Sequence, residues 1–145
     1  MHYAQGAFGR VFIVKFEDRD DLLAGLREVA AREQIKAGII TLLGGMRSAG
    51  VVSGPKEPVI PPEPMWINFQ DGREVIGVGT LFWQGAEPVI HLHGAIGRDT
   101  TAVVGCVRRD SSVYIVVEAV IAEIIGIDAR RELSEKTGVT MLELK

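Results

Sequence analysis

Short β-branched, apolar runs alternate along this chain with one amphipathic stretch, a pattern that predicts a sheet served by an early helix. Phe8 to Phe16 (FGRVFIVKF) is rich in β-branched and aromatic residues and reads as a strand. Asp18 then caps a helix, with Asp20 and Asp21 in the first turn, where the helix dipole favours acids. Leu22, Leu23, Leu26, Val29 and Ala30 form one apolar stripe, while Arg27, Glu28, Arg32 and Glu33 fall on the wet side. The helix is predicted to end near Gln34, because Ala37 to Leu43 returns to strand-like composition. Gly44-Gly45 lacks the Gly-Lys-Ser/Thr of a phosphate loop and reads as a bulge or a close backbone approach. Ser48 to Ser53 is a short strand, and Gly54 to Pro64, with five of the six prolines, is a loop. Met65 to Phe69 reads as an edge strand.

Glu74 to Trp83 and Pro88 to Gly94 follow as two strands joined by a hairpin loop at Gln84–Glu87. Ala102 to Arg108 is the next strand, and Arg109 to Ser112 reads as a turn into Val113–Ile121. That last run is apolar on both faces, as expected of a strand covered on both sides, one cover being another subunit. The charged tail after Asp128 reads as a surface excursion ending in one more short strand.

Composition narrows the class. A chain of 145 residues, 47% hydrophobic, is one domain spanning 1–145 with enough apolar surface for a real core. A net charge of -3 offers no basic excess for nucleic acid or an anionic membrane. One cysteine excludes an intrachain disulfide framework and suits a reducing cytosol. Met1 to Gln5 lacks the cationic and apolar regions of a signal peptide, and Val113–Ile127, broken by Glu118 and Glu123, is too short to span a bilayer. The expectation is a soluble cytoplasmic protein.

Candidate chemistry concentrates in Pro88-Val89-Ile90-His91-Leu92-His93-Gly94. Residues i and i+2 of a strand share a face, so His91 and His93 project together, roughly 7 Å apart at about 3.3 Å of rise per residue. Such a pair is read either as core or interface histidines bonded to backbone, or as two ligands of one metal ion. Cys106 lies thirteen residues after His93, across a turn at Gly97–Thr101. An even loop centred on Asp99 and Thr100 sets Cys106 directly opposite His93, on the same face; an odd loop without a bulge throws it behind the sheet. Two imidazoles and a thiolate suit Zn2+ or another divalent transition metal, with a fourth position open. Arg10, Arg47 and Arg98 are weaker candidates for binding an anionic ligand, Arg10 reading first as a salt-bridged or solvated group. Glu118 is expected on the face opposite Cys106, paired with an arginine.

The ordered set of these segments resembles the PPC (plants and prokaryotes conserved) domain. The set comprises strand, acidic-capped helix, Ala37-Gly38-Ile39-Ile40, Gly44-Gly45-Met46-Arg47, Glu74-Val75-Ile76, Gly79-Thr80-Leu81, Pro88 to His93, Val104-Gly105-Cys106 and Glu135-Lys136-Thr137-Gly138. Similarity runs from about Gly9 to the C-terminus. The resemblance implies an α+β fold, a mainly antiparallel sheet flanked by one or two helices, assembled as a homotrimer. Bacterial and archaeal members often carry H-x-H with a further histidine, and some hold a metal there. His91 and His93 match the first two positions, and Cys106 stands at the third. Members are commonly labelled predicted DNA-binding proteins. In the plant proteins a separate Arg-Gly-Arg-Pro hook contacts DNA, and this chain has none.

Two functions follow. One is a metal-bearing homotrimeric module that binds a partner protein, a small anionic ligand or DNA. The other is a metal-dependent hydrolase or lyase acting on a small anionic substrate. The acidic balance weakens the DNA version of the first, because phosphate neutralisation by Lys and Arg dominates non-specific affinity. No recognisable nucleophile–base pair supports the second.

Overall fold

Where the hydrophobic pattern suggests pairs of short strands, the backbone twice runs straight through and makes one long strand instead. The computed structural model describes residues 1–145, with the order β1 (Ala7–Glu17), α1 (Leu22–Arg32), β2 (Ala37–Pro55), β3 (Pro64–Phe69), β4 (Arg73–Gln84), β5 (Glu87–Arg98), β6 (Thr101–Ile125), β7 (Ala129–Leu133) and β8 (Thr140–Leu144). β2 has 19 residues and absorbs both Ala37–Leu43 and Ser48–Ser53. β6 has 25 residues and absorbs the segment Arg109–Ser112, which is therefore not a reversal.

The reason is that β2 and β6 pair with each other antiparallel along most of their length, with register shifts between Gly44 and Val51. Extra residues are taken up as bulges, which bend a strand without ending it. Gly44 makes this possible: at φ 141°, a Cβ there would stand 2.2 Å from the Val116 carbonyl oxygen. On β6 the matching adjustments are Asp110 and Ile115, both left-handed at φ 53° and 62°. Between them Ser111 turns inward, fully buried. It accepts the Leu23 N–H and donates to the Asp21 carboxylate, so the predicted turn serves as an anchor for the start of α1.

Asp21, not Asp18, is the N-cap, accepting the Ala24 N–H at 2.9 Å. Asp18 is committed elsewhere: it accepts the Ile115 N–H at 3.0 Å and an Arg47 hydrogen bond at 2.6 Å. Both contacts hold its carboxyl below the ordinary range, the Ile115 amide first. The buried stripe of α1 is Leu22, Leu23, Leu26 and Ala30, as its spacing predicts.

β2, β4, β5 and β6 pair in a closed ring, with β1 added beside β6 and β3 at the far edge of β2. Leu42, Leu81, Leu92, Ile96 and Ile121 face inward and join Leu22 and Leu26 of α1 in one core. The opposite, outer face stays open in the single chain. Leu43, Ile76, Val78 and Val120 are 57%, 70%, 55% and 37% exposed there, and the second cover expected over Val113–Ile121 is not part of this chain. The tail forms two short strands where one was expected, a β7–β8 hairpin that packs against β4. No helix is long and apolar enough to cross a membrane.

The close approach at Gly44 yields a paired test. Gly54 has a similar φ of 146° but nothing within 4 Å of its Cβ position. Gly54→Ala is expected to cost about 1–3 kcal/mol, the backbone strain alone. Gly44→Ala adds a collision with backbone and is expected to cost several kcal/mol more, or to abolish folding, as read by denaturant midpoint.

Candidate metal centre

The β4–β5 and β5–β6 hairpins place the three candidate ligands. Burial along β5 alternates, with Ile90, Leu92, Gly94 and Ile96 turned to the core and His91, His93 and Ala95 turned outward. The β5–β6 turn contains only Asp99 and Thr100, since Arg98 pairs with Thr101, and this even loop sets Cys106 directly opposite His93. Directly opposed residues share a face, so the sulfur lies on the imidazole side.

One nitrogen from each ring and the Cys106 Sγ all lie within 4.8 Å of one another. The two Nε2 atoms are 3.2 Å apart, with the rings nearly perpendicular at 75°. Nitrogens bound to one tetrahedral divalent ion at about 2.0–2.1 Å stand about 3.3 Å apart, so the imidazoles already have the spacing that such an ion needs. The donor set of two borderline nitrogens and one soft sulfur fits zinc and its neighbours among the transition metals.

Accessibility is graded: His93 is exposed, His91 half-buried, and Cys106 only 4% exposed. Burial lowers the His91 pKa, with Arg131, His93 and Arg108 adding positive repulsion, and burial raises the Cys106 thiol. Cys106 and His93 line a cavity of about 620 Å³ whose remaining wall includes Val52, Trp66, Pro62 and Arg108.

Two arginines absent from the sequence-level candidates stand at this cluster. Arg108 follows Cys106 by two strand positions and so shares its face, a relation visible in the sequence. Arg131 comes from β7 and donates Nη2 to the Thr80 hydroxyl at 2.9 Å. Thr80 is the register partner of His91. Nothing local in the sequence announces that contact, which depends on how the tail folds back.

The three expected arginines lie elsewhere. Arg10 makes a two-pronged contact with Glu123, Nε to Oε2 and Nη2 to Oε1, each at 2.8 Å. The bulge at Gly9–Arg10 also frees the Arg10 amide to donate to the same carboxylate at 3.1 Å. Arg47 is held by Asp18, and Arg98 pairs with Asp71 at 3.1 Å. Glu118 reverses its expected placement. Cys106 aligns through His93 and Val78 with Thr41, two residues from Leu43, which is the partner of Glu118. Glu118 therefore shares the outer face with the cluster, because β6 runs on through bulges where a turn was expected. It is exposed and has no arginine partner.

The model of the Plants and Prokaryotes Conserved (PCC) domain matches residues 3–125. The chain belongs to that family. Three solved structures share the fold. A metal-containing protein from Archaeoglobus fulgidus superposes with a TM-score of 0.85 at 21% identity, covering 97% of this chain and 98% of that one. A plant- and prokaryote-conserved protein from Pyrococcus horikoshii gives 0.80 at 19%, covering 100% and 99%. A protein from Ralstonia eutropha named as a candidate DNA-binding protein gives 0.77 at 18%, covering 92% and 90%. No curated protein sequence matches the chain. The PCC match stops at Ile125, while the structural likeness carries through the β7–β8 hairpin that delivers Arg131.

The Arg10–Glu123 contact makes a pH prediction. Hydrogen bonding from Arg10 holds the Glu123 carboxyl down from 4.5 to about 2. A depressed carboxyl stabilises the fold fully above its unfolded pKa, and that contribution is lost as pH falls through the folded value. Glu123→Gln is therefore expected to flatten the fall in Tm between about pH 4.5 and pH 2. A residual slope should persist from Asp71, held near 2 by Arg73 and Arg98.

Proposed function

We propose that this PCC-domain protein is a metal-bearing binding module, assembled as a homotrimer in the cytoplasm, with His91, His93 and Cys106 holding Zn2+ or another divalent transition metal. The observation that carries the proposal is the convergence of these three donors within 4.8 Å on one open sheet face. When bound, such an ion supplies a Lewis-acidic position able to take an exogenous ligand. The protein's own part is to fix the two imidazoles by the pleat of β5 and to bring the sulfur opposite them by the Asp99–Thr100 turn.

Assembly is supported by Leu43, Ile76, Val78 and Val120, which neighbour one another across β4, β2 and β6 on the face that also carries the cluster. Single-chain proteins seldom leave so continuous an apolar patch bare. The number of copies comes from the likeness to the PPC domain.

Charge speaks against DNA as the partner, although a structural relative bears that name. Arg10, Arg47, Arg73 and Arg98 are each engaged by a carboxylate, and the net charge is -3, which leaves the chain without the basic excess that a phosphate backbone rewards. The second reading, a hydrolase or lyase acting on a small anion, is favoured by Arg108 and Arg131 at the cluster. Against it, no carboxylate or further imidazole is gathered there as a base.

Chelator-treated protein titrated with Zn2+ is expected to take up one ion per chain with a rise in Tm. Cys106→Ser should weaken uptake at least tenfold and abolish the sulfur-to-metal charge-transfer band of the Co2+ form. Uptake indifferent to both Cys106→Ser and His91→Ala would refute the site. Light scattering should give three times 15.8 kDa, and Ile76→Glu with Val78→Glu should reduce the mass toward one chain.

A further inference from the structure

Arg131 is the one buried cation whose charge the protein leaves unanswered. The residue is 8% exposed, and its Nη2 reaches the neutral Thr80 hydroxyl. Its Nε is buried without any partner, and its only other neighbour of note is the Phe82 ring, 5.8 Å from the guanidinium carbon. Nearly every other arginine of the chain faces a carboxylate, including the exposed Arg98, Arg109 and Arg130. A buried guanidinium is normally tolerated only with a counter-charge. Here the neighbouring group is the His91–His93–Cys106 cluster, reached through Thr80 opposite His91.

Arg108 repeats the pattern from the other side. It projects from the Cys106 face of β6, lines the 620 Å³ cavity and makes no ion pair. On the metal reading above, on which this inference rests, a divalent ion with two neutral imidazoles and one thiolate remains positive. Two guanidinium groups add to that, and no acidic side chain offsets them. The vacant charge is negative, and the planar donor fork of arginine matches a carboxylate or a similar oxyanion. The cavity beside it is walled by Val52, Pro55, Pro62, Trp66 and Val104. That lining suits an apolar body.

We infer that the cluster is the head of a binding site for a small organic acid, whose oxyanion lies between Arg131, Arg108 and the metal position and whose apolar body occupies the Trp66-lined cavity. The module's ligand is then an aromatic or branched aliphatic carboxylate. Arg131 and Trp66 set its specificity: the first selects the charge, the second the body.

Benzoate is a suitable probe, measured by calorimetry on zinc-loaded and metal-free protein beside acetate and inorganic phosphate. Benzoate is expected to bind the loaded form at least tenfold more tightly than acetate or phosphate. Arg131→Gln should lose at least tenfold, with Arg131→Lys recovering part of it. Arg108→Gln, at an exposed position without an ion pair, should lose severalfold. Trp66→Ala should weaken benzoate and leave acetate unchanged. Benzoate affinity equal in wild type, Arg131→Gln and Arg108→Gln overturns the inference even where zinc binds as expected. Phosphate bound as tightly as benzoate overturns the organic-acid assignment. Benzoate binding that depends on Arg131 but is the same with and without zinc leaves the anion site standing and overturns the metal reading instead.

Discussion

The long antiparallel pairing of β2 with β6 is the constraint on which the rest of the molecule depends. Each strand carries two neighbours on its outer edge, β4 and β3 on β2, β5 and β1 on β6. Both must therefore run farther than a strand of ordinary length, and both must bend to close the ring. Gly44, lying almost against the Val116 carbonyl, and the left-handed Asp110 and Ile115 are where that bend is taken up. The same bulged segment turns Ser111 inward to hold α1, so closure of the sheet and placement of its only helix are one event.

That geometry also decides which face the chemistry occupies. With helix and core on the inside of the ring, the outward residues of β4, β5 and β6 form a second surface, which the β7–β8 hairpin covers near Thr80 and Phe82 and the single chain otherwise leaves largely open. His91, His93 and Cys106 lie on it, together with Leu43, Ile76, Val78 and Glu118. The candidate metal centre and the apolar patch are thus neighbours on one sheet face. Of the other arginines all but Arg27 face a carboxylate, whereas Arg108 and Arg131 stand beside the donors without one.

Much of this was legible in the residues. The two-residue spacing of the histidines in a strand required a shared side. The Gly97–Thr101 segment marked a turn, but whether its loop was even or odd stayed open until the pairing of Arg98 with Thr101 decided it. What escaped was governed by long-range pairing. Arg109–Ser112 has the composition of a turn, yet the partner strand β2 passes alongside and keeps it in the ladder as a bulge, which also inverts the expected face of Glu118. Asp18 resembles an N-cap as closely as Asp21 does; only the Ile115 amide and Arg47, brought from distant parts of the chain, settle the choice. Arg108 was within reach, two positions from Cys106 on a recognised strand. Arg131 was not, because its role exists only once the tail hairpin has packed on β4.

The gradient of accessibility across the three donors has a consequence for how an ion would come and go. The open imidazole of His93 would meet it first, and the covered sulfur of Cys106 would engage last. A thiol whose pKa is raised by burial would have to surrender its proton to make that final bond, so an ion taken up would be exchanged for a proton. Loading would thereby be tied to acidity.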